Sequence, residues 1–321
     1  MDGYKSLSAR EFAQALIDTV DPIVVMHARP DGDTVGSSGA LCLILKALGK
    51  RARYACAHKI PERLAFLTEG LEPAEGDLTE SSAICVDVAS PGQLGELNGL
   101  IRPTLMIDHH EFGEVFADNF IIPGASSAAE VVFTVLEELI AMGKMTLECD
   151  IAQRLYAGIS SDTGGFIFSN TTPRTLRTAA DLIEVGIDFS DINHRLFHSK
   201  SEEQIRVEGF VASTLKRALD GRVTYATVTK ADRERLSVLP EHTETAIEVV
   251  RSLIGTEIAF VIKESDSGEF KCSLRSTGAN VAEVARVFSG GGHIRAAGCT
   301  VVAENIDAAA SVILEAIKNT L

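Results

Sequence analysis

Three short, continuously apolar runs along the chain each end in side chains that can bind protons or metal ions. The runs are PIVVMH, which ends at His27, AICVD, which ends at Asp87, and TLMIDHH, which ends at Asp108, His109 and His110. Unbroken apolar runs of this length are typical of strands buried on both faces of a parallel sheet. The pattern therefore predicts three strands of one sheet, each with ionisable groups at its carboxyl end.

Helical patterns follow these strands. The first strand is followed by SGALCLILKALGK and the third by ASSAAEVVFTVLEELIAMGK, in which Ser127 and Glu130 have the spacing of a capping box. A further strand is predicted at RARYACA. Strands that alternate with helices indicate an α/β fold, in which ligands bind beyond the carboxyl ends of the strands. The ionisable groups at these ends are therefore expected to share one edge of the sheet.

The predicted secondary structure changes twice in the second half of the chain. Residues 174–219 have a largely helical pattern, and β-rich segments with turn signals between them begin at about residue 222. We predict an α/β protein whose N-terminal domain has a mainly parallel sheet flanked by helices, followed by a helical connector and a smaller mixed α/β domain. The predicted boundaries are 1–188, 189–219 and 220–321.

Composition and charge narrow the classes of function. The 321 residues carry a net charge of −15, which argues against a groove for long nucleic acids, since phosphate neutralisation dominates that affinity. No apolar stretch approaches about 18 residues, and the N-terminal MDGYKSLSAREFAQAL lacks the apolar core of a signal peptide. The six cysteines lack CxxC spacing and are expected to be reduced. We therefore expect a cytoplasmic protein without a membrane partner.

Eight ionisable side chains would crowd one edge of the predicted sheet. Such a group would repel and lose hydration unless cations held it. Mixed carboxylate and imidazole ligands favour Mn²⁺, with Mg²⁺, Co²⁺ or Fe²⁺ as less favoured ions, and their number favours two ions over one. Taken singly, each has a simpler interpretation, such as a turn former in RPDGDT. The eight residues are His27, Asp31, Asp33, Asp87, Asp108, His109, His110 and Asp162.

Two segments near the C-terminus suit an anionic ligand. The run SGGGH allows backbone amides to approach an anion without interference from Cβ atoms, and His293 adds a donor. Arg275, in SLRS, offers a planar fork that matches a phosphate or a carboxylate. A flexible turn for the glycines and a surface salt bridge for Arg275 are the simpler interpretations.

Six motifs resemble those of a known enzyme family. HARPDGDTVGS, VDVA, IDHH and SSDTGGF resemble the four motifs of DHH phosphoesterases, and KCSLRS and SGGGHIRAAG resemble those of the DHH-associated C-terminal domain. Within the RecJ-like superfamily, the chain is most similar to the stand-alone group of nanoRNases (oligoribonucleases) and 3′-phosphoadenosine 5′-phosphate (PAP) phosphatases. The resemblance implies metal-dependent hydrolysis of nanoRNA, or of dinucleotides such as pApA and pGpG, to mononucleotides, and of PAP to AMP.

The resemblance also implies a role for each residue of the N-terminal motifs. One metal ion would be held by His27 and Asp31, with Asp87 as the bridge to a second ion. The second ion would be held by Asp33, His109 and Asp162. Hydroxide held near Asp87 would attack the phosphorus at the two metal ions. The expected catalytic group is Asp87, Asp108, which would orient a ligand, and His110, which would face the substrate phosphate.

The C-terminal motifs would hold the substrate, in a cleft between the two domains that limits its length. The chain departs from many relatives at Ser289, where they have a fourth glycine. The implied substrate-binding residues are Arg275, Ser276, Gly290, Gly291, Gly292 and His293.

The sequence alone is compatible with several functions. The same scaffold could serve a cyclic dinucleotide phosphodiesterase, or an inorganic pyrophosphatase or exopolyphosphatase. A nucleotide-binding regulator without activity is the candidate outside enzymes. The physiological metal, the preferred nucleotide and the oligomeric state, a homodimer included, are also open.

Overall fold

The computed structural model describes residues 3–79 and 81–320 of the chain. The chain divides into two compact units, of which the first ends at Ser199 and the second begins at Lys200. The first unit has a parallel sheet flanked by helices and the second has a mixed sheet, so the predicted α/β class is confirmed. The three-part division of the chain stays a prediction.

The sheet of the first unit has five strands, all parallel. They are β1 (Ile23–Met26), β2 (Arg53–Ala55), β3 (Ser82–Val86), β4 (Arg102–Asp108) and β5 (Asp118–Ile121). The strand order is β2-β1-β3-β4-β5, so the three strands predicted from the apolar runs, β1, β3 and β4, are direct neighbours. Their carboxyl ends therefore adjoin at one edge of the sheet.

Helices cover one face of this sheet. Val24, Met26, Ile84 and Val86 join the core formed with these helices, whereas the opposite face packs on loops and on Leu94 of a short 3₁₀ helix. The α-helices of the first unit are α1 (Ala9–Asp18), α2 (Gly32–Ala47), α3 (Ala128–Ala141), α4 (Cys149–Asp162), α5 (Pro173–Glu184) and α6 (Phe189–Asn193). Two 3₁₀ helices span Glu62–Thr68 and Pro91–Leu97, and a π-helical turn spans His194–His198.

Only one of the two hydrogen bonds of the capping box predicted at the start of α3 is present. The Ser127 hydroxyl accepts the backbone N–H of Glu130 at 3.1 Å. The Glu130 carboxylate, however, is buried and accepts the backbone N–H of Ser126 at 3.1 Å and the hydroxyl of Thr175 at 2.9 Å. The glutamate therefore ties α3 to α5 instead of closing the reciprocal bond to Ser127.

Helices α2 and α4 pack backbone against backbone at Gly36. A Cβ atom at Gly36 would lie 2.5 Å from the carbonyl oxygen of Arg154 and 2.9 Å from the backbone nitrogen of Gly158. The lack of a side chain at Gly36 thus lets the helix that carries Asp33 lie directly on the helix that ends at Asp162.

We expect Gly36→Ala to destabilise the protein by about 1–3 kcal/mol, because the added methyl group meets backbone atoms that cannot rotate away. Urea unfolding followed by circular dichroism measures the effect. The matched control is Gly209→Ala in a helix of the second unit, where nothing lies within 4 Å of the added methyl group. That control should be neutral or stabilising, by up to about 1 kcal/mol. Equal stability of the two variants would contradict the close packing.

The second unit is built on a six-stranded mixed sheet. Its strands are β6 (Lys216–Ala218), β7 (Val223–Val228), β8 (Ile258–Glu264), β9 (Phe270–Ser276), β10 (Gly291–His293) and β11 (Ala296–Val301), in the order β10-β11-β9-β8-β7-β6. All neighbours are antiparallel except β7 and β8. Its α-helices are α7 (Glu202–Ser213), α8 (Lys230–Leu236), α9 (Ala246–Arg251), α10 (Val281–Val287) and α11 (Ile306–Lys318), with a 3₁₀ helix at Pro240–Thr243.

Residues 174–219 are largely helical, as predicted, but the end of this segment is not. Helix α7 ends at Ser213, and Lys216–Ala218 forms the edge strand β6, paired with β7. Pairing with a neighbouring strand outweighs the helical preference of the sequence there. The six cysteines are free, as predicted. Across the described residues, the helices are too short or too polar to cross a membrane.

Candidate metal centre and active site

The eight ionisable residues predicted to crowd one edge of the first sheet do lie together. Strands β1 and β3 are followed directly by His27 and Asp87, and β4 ends in the Asp-His-His run. The start of α2 adds Asp31 and Asp33, and the end of α4 adds Asp162. Parallel strands and helix ends thus bring together groups that are up to 135 positions apart, from His27 to Asp162.

Within this cluster, three groups of ligand atoms lie close enough to hold a metal ion. In each group, the atoms all lie within 4.8 Å of one another. Asp87 and His109 each belong to two groups. The groups are His27, Asp31 and Asp87; Asp33, His109 and Asp162; and Asp87, Asp108, His109 and His110.

Asp87 lies at the centre of the cluster. One carboxylate oxygen, Oδ2, is 3.6 Å from Nε2 of His27, and the other, Oδ1, is 3.6 Å from Nε2 of His109. The backbone of Asp87 has a φ of 60°, a left-handed conformation that aspartate tolerates better than most residues. Next to it, the Thr34 hydroxyl donates to the carbonyl of Val86 at 3.2 Å and ties α2 to the end of β3.

The Asp87 carboxylate is buried, and its Oδ1 atom has no hydrogen-bond partner among the described residues. Burial raises the pKa of Asp87 well above its usual range, and the neighbouring charges of Asp33 and Asp31 raise it further. This Oδ1 atom lies 3.6 Å from Nε2 of His109. A bridging cation would satisfy it better than any donor that the protein offers there.

Asp33 is held by the beginning of α3. Its two oxygens accept the backbone N–H groups of Ala128 at 2.7 Å and Ala129 at 3.0 Å, at the positive end of the helix dipole. Burial nevertheless raises the pKa of Asp33 to about 7, and the nearby charge of Asp162 adds to the shift. The remaining lone pairs of Asp33 are thus fixed in direction before any ligand binds.

His109 and Asp162 complete this side of the cluster. Nδ1 of His109 bonds the carbonyl oxygen of Ala125 at 3.1 Å, which turns Nε2 toward Asp33 at 4.0 Å and toward Asp162 at 3.9 Å. Burial raises the pKa of Asp162 to about 6. The side chain of Asn170 donates to the Asp162 carbonyl at 3.1 Å. An imidazole that donates Nδ1–H to a carbonyl presents Nε2 as a metal ligand, the arrangement common in metal sites.

On the opposite side, Asp31 caps helix α2. Its Oδ1 accepts the backbone N–H groups of Asp33 and Thr34, each at 3.0 Å, and its Oδ2 lies 3.6 Å from Nε2 of His27. The cap uses one oxygen of Asp31 and directs the other at His27. Because Asp87 also faces His27, these three side chains converge on one point.

Asp108 orients His110. Its buried carboxylate accepts Nδ1–H of His110 at 2.7 Å and the backbone N–H of His109 at 2.8 Å. Burial raises the pKa of Asp108, but the hydrogen bond and charge of His110 outweigh this effect, so that the net shift is downward. The Nδ1 of His110 also lies 3.7 Å from Oδ1 of Asp87, so the ring is fixed beside the centre of the cluster.

The donor set fits divalent cations. It combines carboxylate oxygens with imidazole nitrogens, the mixture that suits Mn²⁺ and related ions, whereas the chain places no thiolate in any of the three groups. The buried carboxylates raise one another's pKa values, and bound cations would relieve this repulsion.

We expect the metal-free protein to lose stability as the pH rises from 5 to 8. The pKa of Asp33 is about 7 and that of Asp162 about 6 in the folded state, above the usual value of 3.8. The stabilising protons are fully bound below pH ~4 and are lost as the pH rises through these folded-state values. Thermal unfolding in EDTA should give a falling Tm, and Mn²⁺ should raise Tm more at pH 8 than at pH 5.

Asp162→Asn is the matched variant, because it removes one of the two titrating groups. Its Tm in EDTA should fall less steeply between pH 5 and 7 than that of the wild type. A Tm that is independent of pH in both proteins, or a larger effect of Mn²⁺ at pH 5, would count against the raised pKa values.

The residues predicted to bind substrate all belong to the second unit. The guanidinium of Arg275 donates to the carbonyl of Leu274 at 3.0 Å, and its Nε lies 3.9 Å from Glu248. The Ser276 hydroxyl donates to the carbonyl of Ala279 and shapes the turn after β9. Both side chains therefore have partners within their own unit, and their role toward a substrate stays a prediction.

The glycine run forms an edge strand instead of a turn. Gly291, Gly292 and His293 make up β10, which is exposed and pairs with β11. The N–H of Gly290 donates to the carbonyl of Ala285 at 2.9 Å, and a Cβ atom there would overlap Cys299. Gly290 is thus required for packing, whereas the exposed Gly291 has open space around it.

Sequence reasoning missed the groups that hold the ligands in place. They include Asn170, beside Asp162, and the backbone amides of Ala128 and Ala129, which bind Asp33. Backbone amides carry no signal in the sequence. The one available signal was Asn170 itself, a polar residue eight positions after Asp162.

Known proteins are similar to this chain over most of its length. Residues 22–159 match the N-terminal domain of the DHH family, and residues 220–319 match the DHHA1 domain. The chain is 30% identical to the bifunctional oligoribonuclease and PAP phosphatase NrnA of Thermus thermophilus, over 97% of this chain and 94% of that protein.

Two solved structures share the fold. An exopolyphosphatase-related protein from Bacteroides fragilis has a TM-score of 0.86 and 24% identity, with coverage of 97% of this chain and 96% of its own. The RecJ structure in complex with Mn²⁺ from Thermus thermophilus has a TM-score of 0.58 and 16% identity, with coverage of 97% and 54%.

The match of both domains, and the identity with the Thermus protein over almost the whole length, confirm the resemblance found in the six motifs. The eight clustered residues include all of the Asp-His-His run that gives the family its name. The chain therefore belongs to the DHH family and is a phosphoesterase with a DHHA1 domain as its second part.

Proposed function

We propose that this phosphoesterase hydrolyses short oligoribonucleotides and dinucleotides, such as pApA and pGpG, to mononucleotides, and PAP to AMP. The observation that carries the proposal is the pair of candidate ligand groups on either side of Asp87, whose two oxygens face His27 and His109 at 3.6 Å each. The name of the Thermus relative, bifunctional oligoribonuclease and PAP phosphatase, supports this choice of substrates.

Two divalent cations would be held by this chain, one on each side of Asp87. One would be bound by His27 and Asp31, the other by Asp33, His109 and Asp162, with Asp87 shared between them. Carboxylate and imidazole ligands favour Mn²⁺ over Mg²⁺ and Co²⁺. Two such cations lower the pKa of water and neutralise charge on the attacking and leaving oxygens of a phosphoryl transfer.

The side chains around the cations prepare the reaction. Asp87 would lie beside the attacking water, because its two oxygens face His27 and His109 on the two sides of the cluster. His110 holds its Nδ1 on Asp108, so it would act on the leaving oxygen through Nε2. The positions of Asp33 and His109 are fixed by backbone bonds to Ala128 and Ala125, which limits reorganisation during the reaction.

The DHHA1 domain would bind the remainder of the substrate. Arg275 supplies a guanidinium that is 30% exposed at its side chain, and the exposed edge strand that ends in His293 supplies backbone and imidazole donors. These donors match a phosphate or the sugar of a nucleotide. Ser276 and Gly290 shape this region through their contacts within the domain.

Hydrolysis of a panel of substrates with Mn²⁺ tests the proposal. The panel contains pApA, pGpG, cyclic di-AMP, PAP, pyrophosphate, a 5-mer and a 20-mer RNA. We expect the highest kcat/KM on the dinucleotides and PAP, with a decline from the 5-mer to the 20-mer. Fast pyrophosphate turnover with inert dinucleotides would assign the chain to the pyrophosphatases, and equal rates on the 20-mer would contradict the restriction to short substrates.

Two further outcomes of the same assay would assign the chain a different function. Preference for cyclic di-AMP over pApA would replace the proposed function with that of a cyclic dinucleotide phosphodiesterase. Tight binding of nucleotides without turnover of any substrate would favour a nucleotide-binding regulator. The presence of all eight predicted residues in one cluster argues for catalysis.

A further inference from the structure

A cavity of about 220 Å³ opens beside the catalytic cluster, and the roles assigned above do not use it. We call it the β4–β5 pocket. Its inner end is formed by Met106 and Asp108 of β4, which are both buried, and by Ile121 at the end of β5. Its outer end is formed by Glu111 and Glu114, in the exposed loop that follows the Asp-His-His run.

The pocket adjoins the catalytic cluster. Asp108 and His110 line it, and Nδ1 of His110 lies 3.7 Å from the central carboxylate of Asp87. A nucleotide whose phosphate lies at the metal centre could therefore reach the pocket with its neighbouring part. Pockets for drug-sized molecules have volumes of about 300 Å³ or more. This pocket is smaller and suits a single ring system.

The residues that line the pocket favour the base of a nucleotide over its phosphate. Met106, Val115, Ile121 and Pro123 give the pocket apolar walls, which suit the faces of an aromatic ring. Phosphate is disfavoured, since the carboxylates at the pocket would repel it. Glu111 and Glu114 can accept hydrogen bonds but cannot donate them when ionised, so they favour a ring that carries an amino group.

The loop at the outer end is fixed in shape. The backbone N–H of Glu114 donates to the carbonyl of Ala89 at 2.8 Å, and a Cβ atom at Gly113 would lie 2.7 Å from the same oxygen. In the same loop, the side chain of Phe112 is 78% exposed, which leaves an aromatic face next to the outer end of the pocket. Exposed aromatic side chains next to a pocket are typical of sites that stack a base.

We propose that the β4–β5 pocket binds the nucleobase next to the scissile phosphate and selects bases with an exocyclic amino group. Glu111 and Glu114 are then specificity residues that accept the hydrogen bonds of this amino group. The inference rests on the proposed function, because it takes the phosphate of a nucleotide to lie at the metal centre.

Binding of nucleosides to the Mg²⁺-loaded protein tests the pocket apart from catalysis. The protein is labelled with ¹³C at the methyl groups of its five methionines, and the Met106 signal is assigned with Met106→Leu. Adenosine should shift the Met106 signal, and purine riboside, which lacks the amino group and has no N–H donor in its base, should bind at least about fivefold more weakly. Ribose alone should leave the Met106 signal unchanged.

The variants Glu111→Gln and Glu114→Gln test whether the two glutamates select the base. Loss of one charge-assisted acceptor should raise KM for pApA by about tenfold, more than it lowers kcat, and should narrow the preference for adenosine over purine riboside. The matched control is Glu184→Gln, an exposed glutamate on α5, which should change neither quantity.

The outcomes separate this inference from the proposed function. An unchanged Met106 signal at millimolar adenosine, in a protein that hydrolyses pApA, would overturn the pocket and leave the proposed function standing. A shift with adenosine in a protein inactive on every nucleotide substrate would support the pocket and overturn the proposed function. Equal shifts with adenosine and purine riboside would overturn the role of the two glutamates.

Discussion

Replacing Asp87 with asparagine should lower kcat for pApA by about 10³-fold or more, while the fold is retained. The substitution keeps the size of the side chain but removes the charge that lies between the two candidate ligand groups, because Oδ1 and Oδ2 face His109 and His27, respectively. Turnover with saturating Mn²⁺ measures the loss, and circular dichroism checks the fold.

The same variant should also be more stable than the wild type when no metal is bound. Burial and the neighbouring carboxylates raise the pKa of Asp87, so the ionised group destabilises the metal-free protein. At pH 8 in EDTA, we expect a higher Tm for Asp87→Asn. The control is Asp181→Asn, an exposed aspartate on α5, which should alter neither turnover nor Tm. Wild-type turnover by Asp87→Asn would contradict the assignment of the metal centre.

Replacing Asp108 with asparagine should lower kcat by about 10²–10⁴-fold with little change in KM. Asp108 accepts Nδ1–H of His110 at 2.7 Å and thereby keeps that proton on Nδ1. An asparagine that turns its amide nitrogen toward the ring would favour the other tautomer, and such a change can cost this much activity in enzymes. Asp108 is thus a positioning residue, and its loss should shift the pH profile of kcat.

His110→Asn and the double variant complete this test. If Asp108 acts through His110, the two losses should not add, and the double variant should be about as slow as His110→Asn alone. The bound Mn²⁺ should be the same in all three proteins. Additive losses, or a loss of metal from Asp108→Asn, would mean that Asp108 acts as a ligand in its own right.

The candidate site could be predicted from the sequence, because the hydrophobic pattern and the strand order of the sheet point to the same residues. Apolar runs that end at His27, Asp87 and Asp108 became the neighbouring strands β1, β3 and β4. Because all strands of this sheet are parallel, an ionisable residue at the end of one run must lie near those at the ends of the others. The hydrophobic pattern and the positions of the ionisable residues were therefore enough to predict which candidate ligands lie together.

The groups that fix the ligands could not be predicted in this way. The amides of Ala128 and Ala129 bind Asp33 because α3 begins opposite α2, and such a contact depends on packing between helices distant in sequence. The edge strand β6 was also missed, since its three residues, Lys216–Ala218, have no alternating pattern and depend on pairing with β7. The β4–β5 pocket likewise arises from the course of a loop, which no periodicity describes.

The number of Mn²⁺ ions that the metal-free chain binds distinguishes a centre of two metal ions from a site for one. Calorimetric titration, with elemental analysis of the loaded protein, should give two ions per chain for the wild type. His27→Ala and Asp33→Ala should each retain one ion, since each variant disrupts one ligand group and leaves the other. One ion or none in the wild type, with full turnover of pApA in EDTA, would contradict a centre of two metal ions that share Asp87.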